Sequence, residues 1–172
     1  MDVLISLGAN LTAADGSAPL DTCRQAAAAL DALPGLRLRG LSRWYRTAPM
    51  LAPGQNAAAH PSYVNGVAHL VSRPGVTVDP AWLLAELMQL EAAAGRHRST
   101  LNAPRPLDLD IIAMGDMVRD HPDPVLPHPR AHLRAFVLVP LAELAPGWLH
   151  PRLGQPVETL IAGLPEQAIT PL

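Results

Sequence analysis

Apolar and polar positions along this chain repeat with two different periods, and the switches between them predict its elements. Val3-Leu4-Ile5-Ser6-Leu7 reads as a buried strand, and Gly8-Ala9-Asn10-Leu11 then turns the chain. From Pro19 to Leu33, apolar residues at Leu20, Cys23, Ala27, Leu30 and Leu33 follow helical spacing, and Pro34-Gly35 ends the run. Leu36 to Trp44 alternates apolar residues with arginine around a break at Gly40, which predicts a strand with one wet face. Arg46 to Ser62 is a seventeen-residue loop carrying Pro49, Pro53 and Pro61; connections that long in a compact domain are usually functional or disordered. Strand character resumes from Tyr63 to Val71. Asp79-Pro80 opens a second helix as N-cap and first helical residue, with Leu83, Leu84, Leu87, Met88 and Leu90 on its apolar side. Gly95 falls where a left-handed stop belongs. An arginine-rich loop from Arg96 to Pro106 leads into a strand from Leu107 to Met114, then a proline-rich irregular region from Val118 to Pro129. Ala135 to Leu141 is one more apolar stretch, and the tail from Glu143 is loop with a short helix near Val157 to Ala162.

The order strand, helix, strand, strand, helix, strand predicts an α+β fold: a ferredoxin-like antiparallel sheet with helices packed on one face and long active-site loops. The length, 172 residues, suits one domain spanning 1–172.

Composition narrows the chemistry. Net charge is −2, which gives no reason to expect a nucleic-acid partner, and no apolar run is long enough to span a membrane. One cysteine excludes an internal disulfide and fits a reducing compartment, the cytosol. All thirteen basic residues are arginine. Biased genomic composition explains that equally well, but the consequence holds either way. Every cation is a planar fork suited to carboxylate or phosphate, and lysine-dependent chemistry is excluded. The histidines show no zinc-ligand spacing with cysteine.

The densest chemical signal is Arg105-Pro106-Leu107-Asp108-Leu109-Asp110-Ile111-Ile112. On a strand Asp108 and Asp110 share one face, about 6.6 Å apart along the backbone, while Leu107, Leu109 and Ile111 turn to the core. Two carboxylates on one face are relieved either by arginines on a solvated surface or by a hard divalent cation. The upstream Gly95-Arg96-His97-Arg98 and Arg105 favour a metal–phosphate site. Gln89 and Glu91 end the preceding helix, as surface residues or as contacts to a nucleotide or the arginine loop. A second signal joins Thr47 with Tyr63 and Asn65. Here a ring and an amide on one strand face could stack on and read a flat heteroaromatic ligand, with Phe136 as the other stacking face. Ordinary core packing explains each aromatic residue taken singly. Third, His128 is held between Pro127 and Pro129, with Arg134 following, and could donate to phosphate. On the residues alone two other classes stay open: a different metal-dependent nucleotidyl or phosphoryl transferase, and a non-catalytic ligand- or RNA-binding module.

Taken together, these segments resemble the 6-hydroxymethyl-7,8-dihydropterin pyrophosphokinase family. The matching stretches are Ile5 to Leu11, Trp44-Tyr45-Arg46-Thr47, Tyr63-Val64-Asn65, Glu91 with Gly95-Arg96-His97-Arg98, Pro104 to Asp110, Leu126 to Arg130, and Arg134 to Leu138. The resemblance implies pyrophosphate transfer from ATP to the pterin hydroxymethyl oxygen, with two Mg²⁺ ions. It implies metal binding by Asp108 and Asp110 and triphosphate contacts from Arg96, Arg98 and His128. Arg105 would sit beside the transferring group or help close the loop. Gln89, Glu91, Ile111 and Arg134 would serve the nucleotide, and Thr47, Met50, Tyr63, Asn65 and Phe136 would frame the pterin. Its partners would be ATP and a reduced pterin, with neither nucleic acid nor membrane, in a monomer or homodimer. Where some members carry Arg-Trp-Gly-Pro, this chain has Leu101-Asn102-Ala103-Pro104.

Overall fold

The computed structural model describes residues 1–49, 51–96 and 104–172. In chain order its elements are β1 (Asp2–Ala9), α1 (Pro19–Asp31), β2 (Leu36–Leu41), β3 (Tyr45–Thr47), β4 (Tyr63–Ser72), α2 (Pro80–Ala93), β5 (Asp108–Met114), α3 (Ala135–Leu144), α4 (Val157–Ala162) and β6 (Ile169–Pro171). Single 3₁₀ turns lie at Ala57–Ala59 and Ala131–Leu133. Among the described residues no helix is long and apolar enough to cross a membrane.

The six strands form one antiparallel sheet in the order β5-β1-β4-β3-β6, with β2 pairing the other half of β4. The most apolar strand, β1, lies between β4 and β5 and buries every residue after Asp2. The stretch from Leu36 to Trp44, expected to be one strand, divides in two. The β2 register shifts between Leu38 and Gly40, and the chain re-enters the sheet as β3. The seventeen-residue loop is correspondingly shorter, because β3 takes its first two residues. The tail adds a strand the sequence pattern did not predict, β6, paired to β3.

One expectation is corrected: the helices cover both faces. Val3, Ile5, Leu7, Leu109 and Ile111 pack with Ala26, Ala27 and Leu30 of α1 and Leu83 and Leu87 of α2. The intervening positions, Leu4, Val67 and Ile112, pack with Val137, Leu138 and Leu141 of α3 and Val157 and Leu160 of α4. A central strand that is apolar on both sides needs two covers. The stretch from Ala135 supplies the second one as a helix.

Local signals set the helix ends. Pro19 opens α1, and Asp79 caps α2 by accepting the Trp82 N–H at 3.0 Å. Leu83, Leu87 and Glu91 then fall on one buried stripe at i, i+4, i+8. That stripe carries a carboxylate into the core beside β5.

Candidate active site

Alternation along β5 divides its side chains as the sequence predicts. Leu109 and Ile111 enter the core, where each buried aliphatic chain contributes roughly 1.5–3 kcal/mol and anchors the strand from behind. Asp108 and Asp110 face the other way, toward the layer of α3, and remain a quarter to a third exposed. β5 is an edge strand. Its outward Leu109 N–H donates to Glu91 Oε2 at 3.3 Å, so a buried glutamate caps the free edge.

Glu91 also pairs with Arg96. The turn after α2 makes that contact possible. Gly95 takes φ +99°, its N–H donates to the Ala92 carbonyl, and the Arg96 N–H donates to the Glu91 carbonyl. This is a Schellman closure. It folds Arg96 back across the helix end, where Arg96 Nη1 donates to Asp108 Oδ1 at 2.7 Å. Arg105 reaches the same oxygen at 3.1 Å. Burial alone would raise the Asp108 pKa, but the Arg105 and Arg96 guanidiniums overrule it and hold the group below the usual carboxylate range.

Asp110 has weaker support. Arg134 Nη1 is 3.9 Å and His128 Nε2 3.8 Å from its Oδ2. Burial and the charge on Asp108 push it up to about 6. His128 is lowered to about 4, by burial first and then by Arg134 and Arg130. Its Nδ1 accepts the Arg130 N–H at 3.1 Å, so the neutral ring carries its proton on Nε2, the atom turned to Asp110.

A second group of residues shares this face of the sheet. Residues directly opposite in an antiparallel pair point to the same side. The register Asp108↔Gly8↔Asn65↔Tyr45 therefore forms a row across four strands. Thr47, opposite Tyr63, extends it, and Asn65 Nδ2 donates to Thr47 Oγ1 at 2.5 Å. Both polar side chains are buried. Tyr63 lies beside Arg105, and burial raises its phenol pKa against that cation. Gly8 leaves room for the amide: a Cβ there would stand 2.7 Å from Asn65 Oδ1.

Asn10, 3% exposed, ties the surrounding loops together. Its Oδ1 accepts the Arg105 N–H at 2.8 Å and its Nδ2 donates to the Pro61 carbonyl at 3.0 Å. Its own N–H donates to the Arg105 carbonyl at 3.1 Å.

The structure thus gathers Arg96, Arg105, Asp108, Asp110, His128 and Arg134 into one cluster, and Thr47, Tyr63 and Asn65 into its neighbour. Phe136 lies half-buried at the start of α3 with the Arg134 guanidinium 5.4 Å over its ring. The three other residues expected at the nucleotide lie apart from this cluster's exposed face. Glu91 is 3% exposed and holds Arg96 and the Leu109 N–H, the arginine-loop contact that was one of its expected roles. The Ile111 side chain is in the core, leaving only its backbone on the strand edge. Gln89 is exposed, about 200° around α2 from Glu91, and does not join the cluster. Met50 and Arg98 lie outside the described residues, as do residues 101–103. The sequence reading passed over Gly8 and Asn10 as site residues. A glycine interrupting an apolar strand was the available signal.

Residues 4–146 match the family of 7,8-dihydro-6-hydroxymethylpterin-pyrophosphokinase (HPPK). The 2-amino-4-hydroxy-6-hydroxymethyldihydropteridine pyrophosphokinase of Synechocystis sp. is 35% identical over 169 residues, covering 98% of this chain and 79% of the relative. That of Pseudomonas aeruginosa is 36% identical over 167 residues, covering 97% and 94%. Among solved structures, an HPPK-DHPS in complex with substrates superposes with a TM-score of 0.68 at 11% identity, and wild-type Plasmodium falciparum HPPK-DHPS with 0.65 at 12%. Each covers 94% of this chain, which spans 42% and 44% of those longer ones. At that identity the likeness is one of fold.

Proposed function

The chain belongs to the 7,8-dihydro-6-hydroxymethylpterin-pyrophosphokinase family, and we propose that it performs the reaction its relatives are named for. That reaction is transfer of pyrophosphate from ATP to 6-hydroxymethyl-7,8-dihydropterin in folate biosynthesis, within one pyrophosphokinase domain in the cytoplasm. The pterin hydroxymethyl oxygen bonds to the β-phosphorus. The bond from that phosphorus to the oxygen bridging it to the α-phosphate breaks, AMP leaves, and the hydroxyl proton is released.

One observation carries this reading. Two carboxylates on one strand face sit among guanidiniums, two strand spacings from a buried amide–hydroxyl pair suited to a flat hydrogen-bonding heterocycle. The donor set fits magnesium. Among the described residues no group of three or more His, Cys, Asp or Glu side chains converges on a point. An ion on Asp108 and Asp110 would therefore complete its shell with water and phosphate oxygens, as Mg²⁺ does. Two Mg²⁺ ions held there would neutralise the triphosphate and orient the attacking hydroxyl.

The chain's own residues do the rest. Arg96 and Arg105, parked on Asp108, can turn to phosphate oxygens and stabilise charge on the transferring group. His128 donates from Nε2 rather than abstracting a proton, because its Nδ1 is taken by the Arg130 N–H. Arg134 lies between Asp110 and Phe136, so the same cation serves the phosphate side and braces one wall of the pterin slot. Asn65, held by Thr47, presents its amide to the pterin edge while Tyr63 offers a ring face.

The test is product formation. Asp108→Ala and Asp110→Ala are each expected to abolish AMP production from ATP, Mg²⁺ and the pterin. Undiminished AMP from either variant would overturn the metal assignment. Release of inorganic pyrophosphate instead of AMP would mark a nucleotidyl transferase.

A further inference from the structure

Helix α3 crosses the sheet rather than running along it. At its N-terminal end Arg134 reaches Asp110 on β5. At its C-terminal end Glu143 meets Tyr45 on β3 and Arg43 just before it. Ten helical residues span about 15 Å. The three strand spacings from β5 to β3 come to roughly 14 Å. The helix is therefore a roof pinned at both rims, and it carries Phe136 over the side of the sheet that holds Asn65 and Thr47.

The pin at the β3 rim is polar. Tyr45 is 2% exposed, so its phenol must find a partner indoors. It donates to Glu143 Oε1. Arg43 surrounds the pair: its N–H donates to Glu143 Oε2 at 3.0 Å, its Nε to Oε1 at 3.3 Å and its Nη2 to the Tyr45 hydroxyl at 3.2 Å. Tyr45 stands directly opposite Asn65 and two residues before Thr47, whose hydroxyl accepts from the Asn65 amide. β3 has only three residues, and the Glu143 carboxylate ties its start to the roof through both Tyr45 and Arg43.

Resting on the function proposed above, we infer that Tyr45 and Glu143 are positioning residues that set the width of the pterin slot between α3 and the β3–β4 pair. Neither touches the phosphate cluster. Losing the Tyr45 hydroxyl loosens the β3 rim of α3, and losing the Glu143 carboxylate removes the Arg43 ties as well, so Phe136 and the Thr47–Asn65 pair no longer keep a fixed separation. The phosphate side is held independently by Glu91, Arg96, Arg105 and Asp108.

Steady-state kinetics of Tyr45→Phe, Glu143→Ala and Glu143→Gln, varying each substrate separately, test this. Tyr45→Phe and Glu143→Ala should raise the pterin KM about tenfold, with ATP KM and saturated kcat within about twofold of wild type. Glu143→Gln keeps a carbonyl oxygen for the phenol but loses the acceptor of the Arg43 N–H, and should bring the pterin KM back well below that of Glu143→Ala. If Tyr45→Phe does not fold, the Ala and Gln pair at position 143 carries the comparison. An unchanged pterin KM in the folded variants, or a matching rise in ATP KM, would overturn the positioning role while leaving the proposed reaction intact. A wild-type protein that makes no AMP would overturn the reaction itself and the role with it.

Discussion

At Gly8 the difference between hydrogen and methyl decides where an amide points. A Cβ would sit 2.7 Å from Asn65 Oδ1, so the buried amide would have to turn away from its bond to Thr47. Gly8→Ala should cost about 1–3 kcal/mol in thermal or denaturant unfolding. It should also raise the pterin KM about tenfold or more while sparing the ATP KM. The Asp108–Asp110 pair was legible in the sequence because alternation on a strand is a strong rule and the apolar partners Leu107, Leu109 and Ile111 mark the opposite face. Glu91 stayed open between the surface, a nucleotide and the arginine loop, because glutamate is usually exposed. Its spacing from Leu83 and Leu87 was the clue that it sits on the buried stripe. Gly8 and Asn10 were visible only as a turn, since their roles depend on Asn65, Pro61 and Arg105, far away in sequence.

At the scale of elements, Asn10 joins the end of β1 to the loops before β4 and β5 through three hydrogen bonds. Pro61 and Arg105 are therefore tied to one buried side chain. Asn10→Ala removes two of those bonds from part-exposed partners, the Pro61 carbonyl and the Arg105 N–H, a cost of about 1–3 kcal/mol. Amide hydrogen exchange at Arg105 should lose its protection, with the sheet amides of β1 and β4 unchanged. Retained protection at Arg105 would show that Asn10 is not the tie. The boundaries of α1 and α2 were readable from Pro19, Asp79, Pro80 and Gly95, each a local signal. The helical state of α3 was not, because its residues are apolar nearly all round and give no periodic face. The second helical layer followed from the same ambiguity.

For the molecule as a whole, Cys23 reports on the integrity of the core. It is fully buried on the inner side of α1, its thiol directed toward the Val64 carbonyl at 4.0 Å, and burial pushes its pKa up to about 12. The native protein should therefore resist a thiol reagent at pH 8, reacting at least about 100-fold more slowly than the unfolded chain. Labelling should track global opening in a denaturant series. Fast labelling without denaturant would mean that α1 lifts from the sheet under native conditions. The row Asp108, Gly8, Asn65 and Tyr45 has a consequence at this scale as well. Its spacing is set by backbone hydrogen bonds between strands, which side-chain substitution does not stretch, so on the proposed site the sheet would serve as a gauge block between the acceptor's ring and the reacting phosphorus. An alcohol on an arm one carbon too long would offer its oxygen on the order of an ångström out of line, a misplacement that costs about a hundredfold in rate. The length of the substrate's arm is thus written into the weave of the sheet.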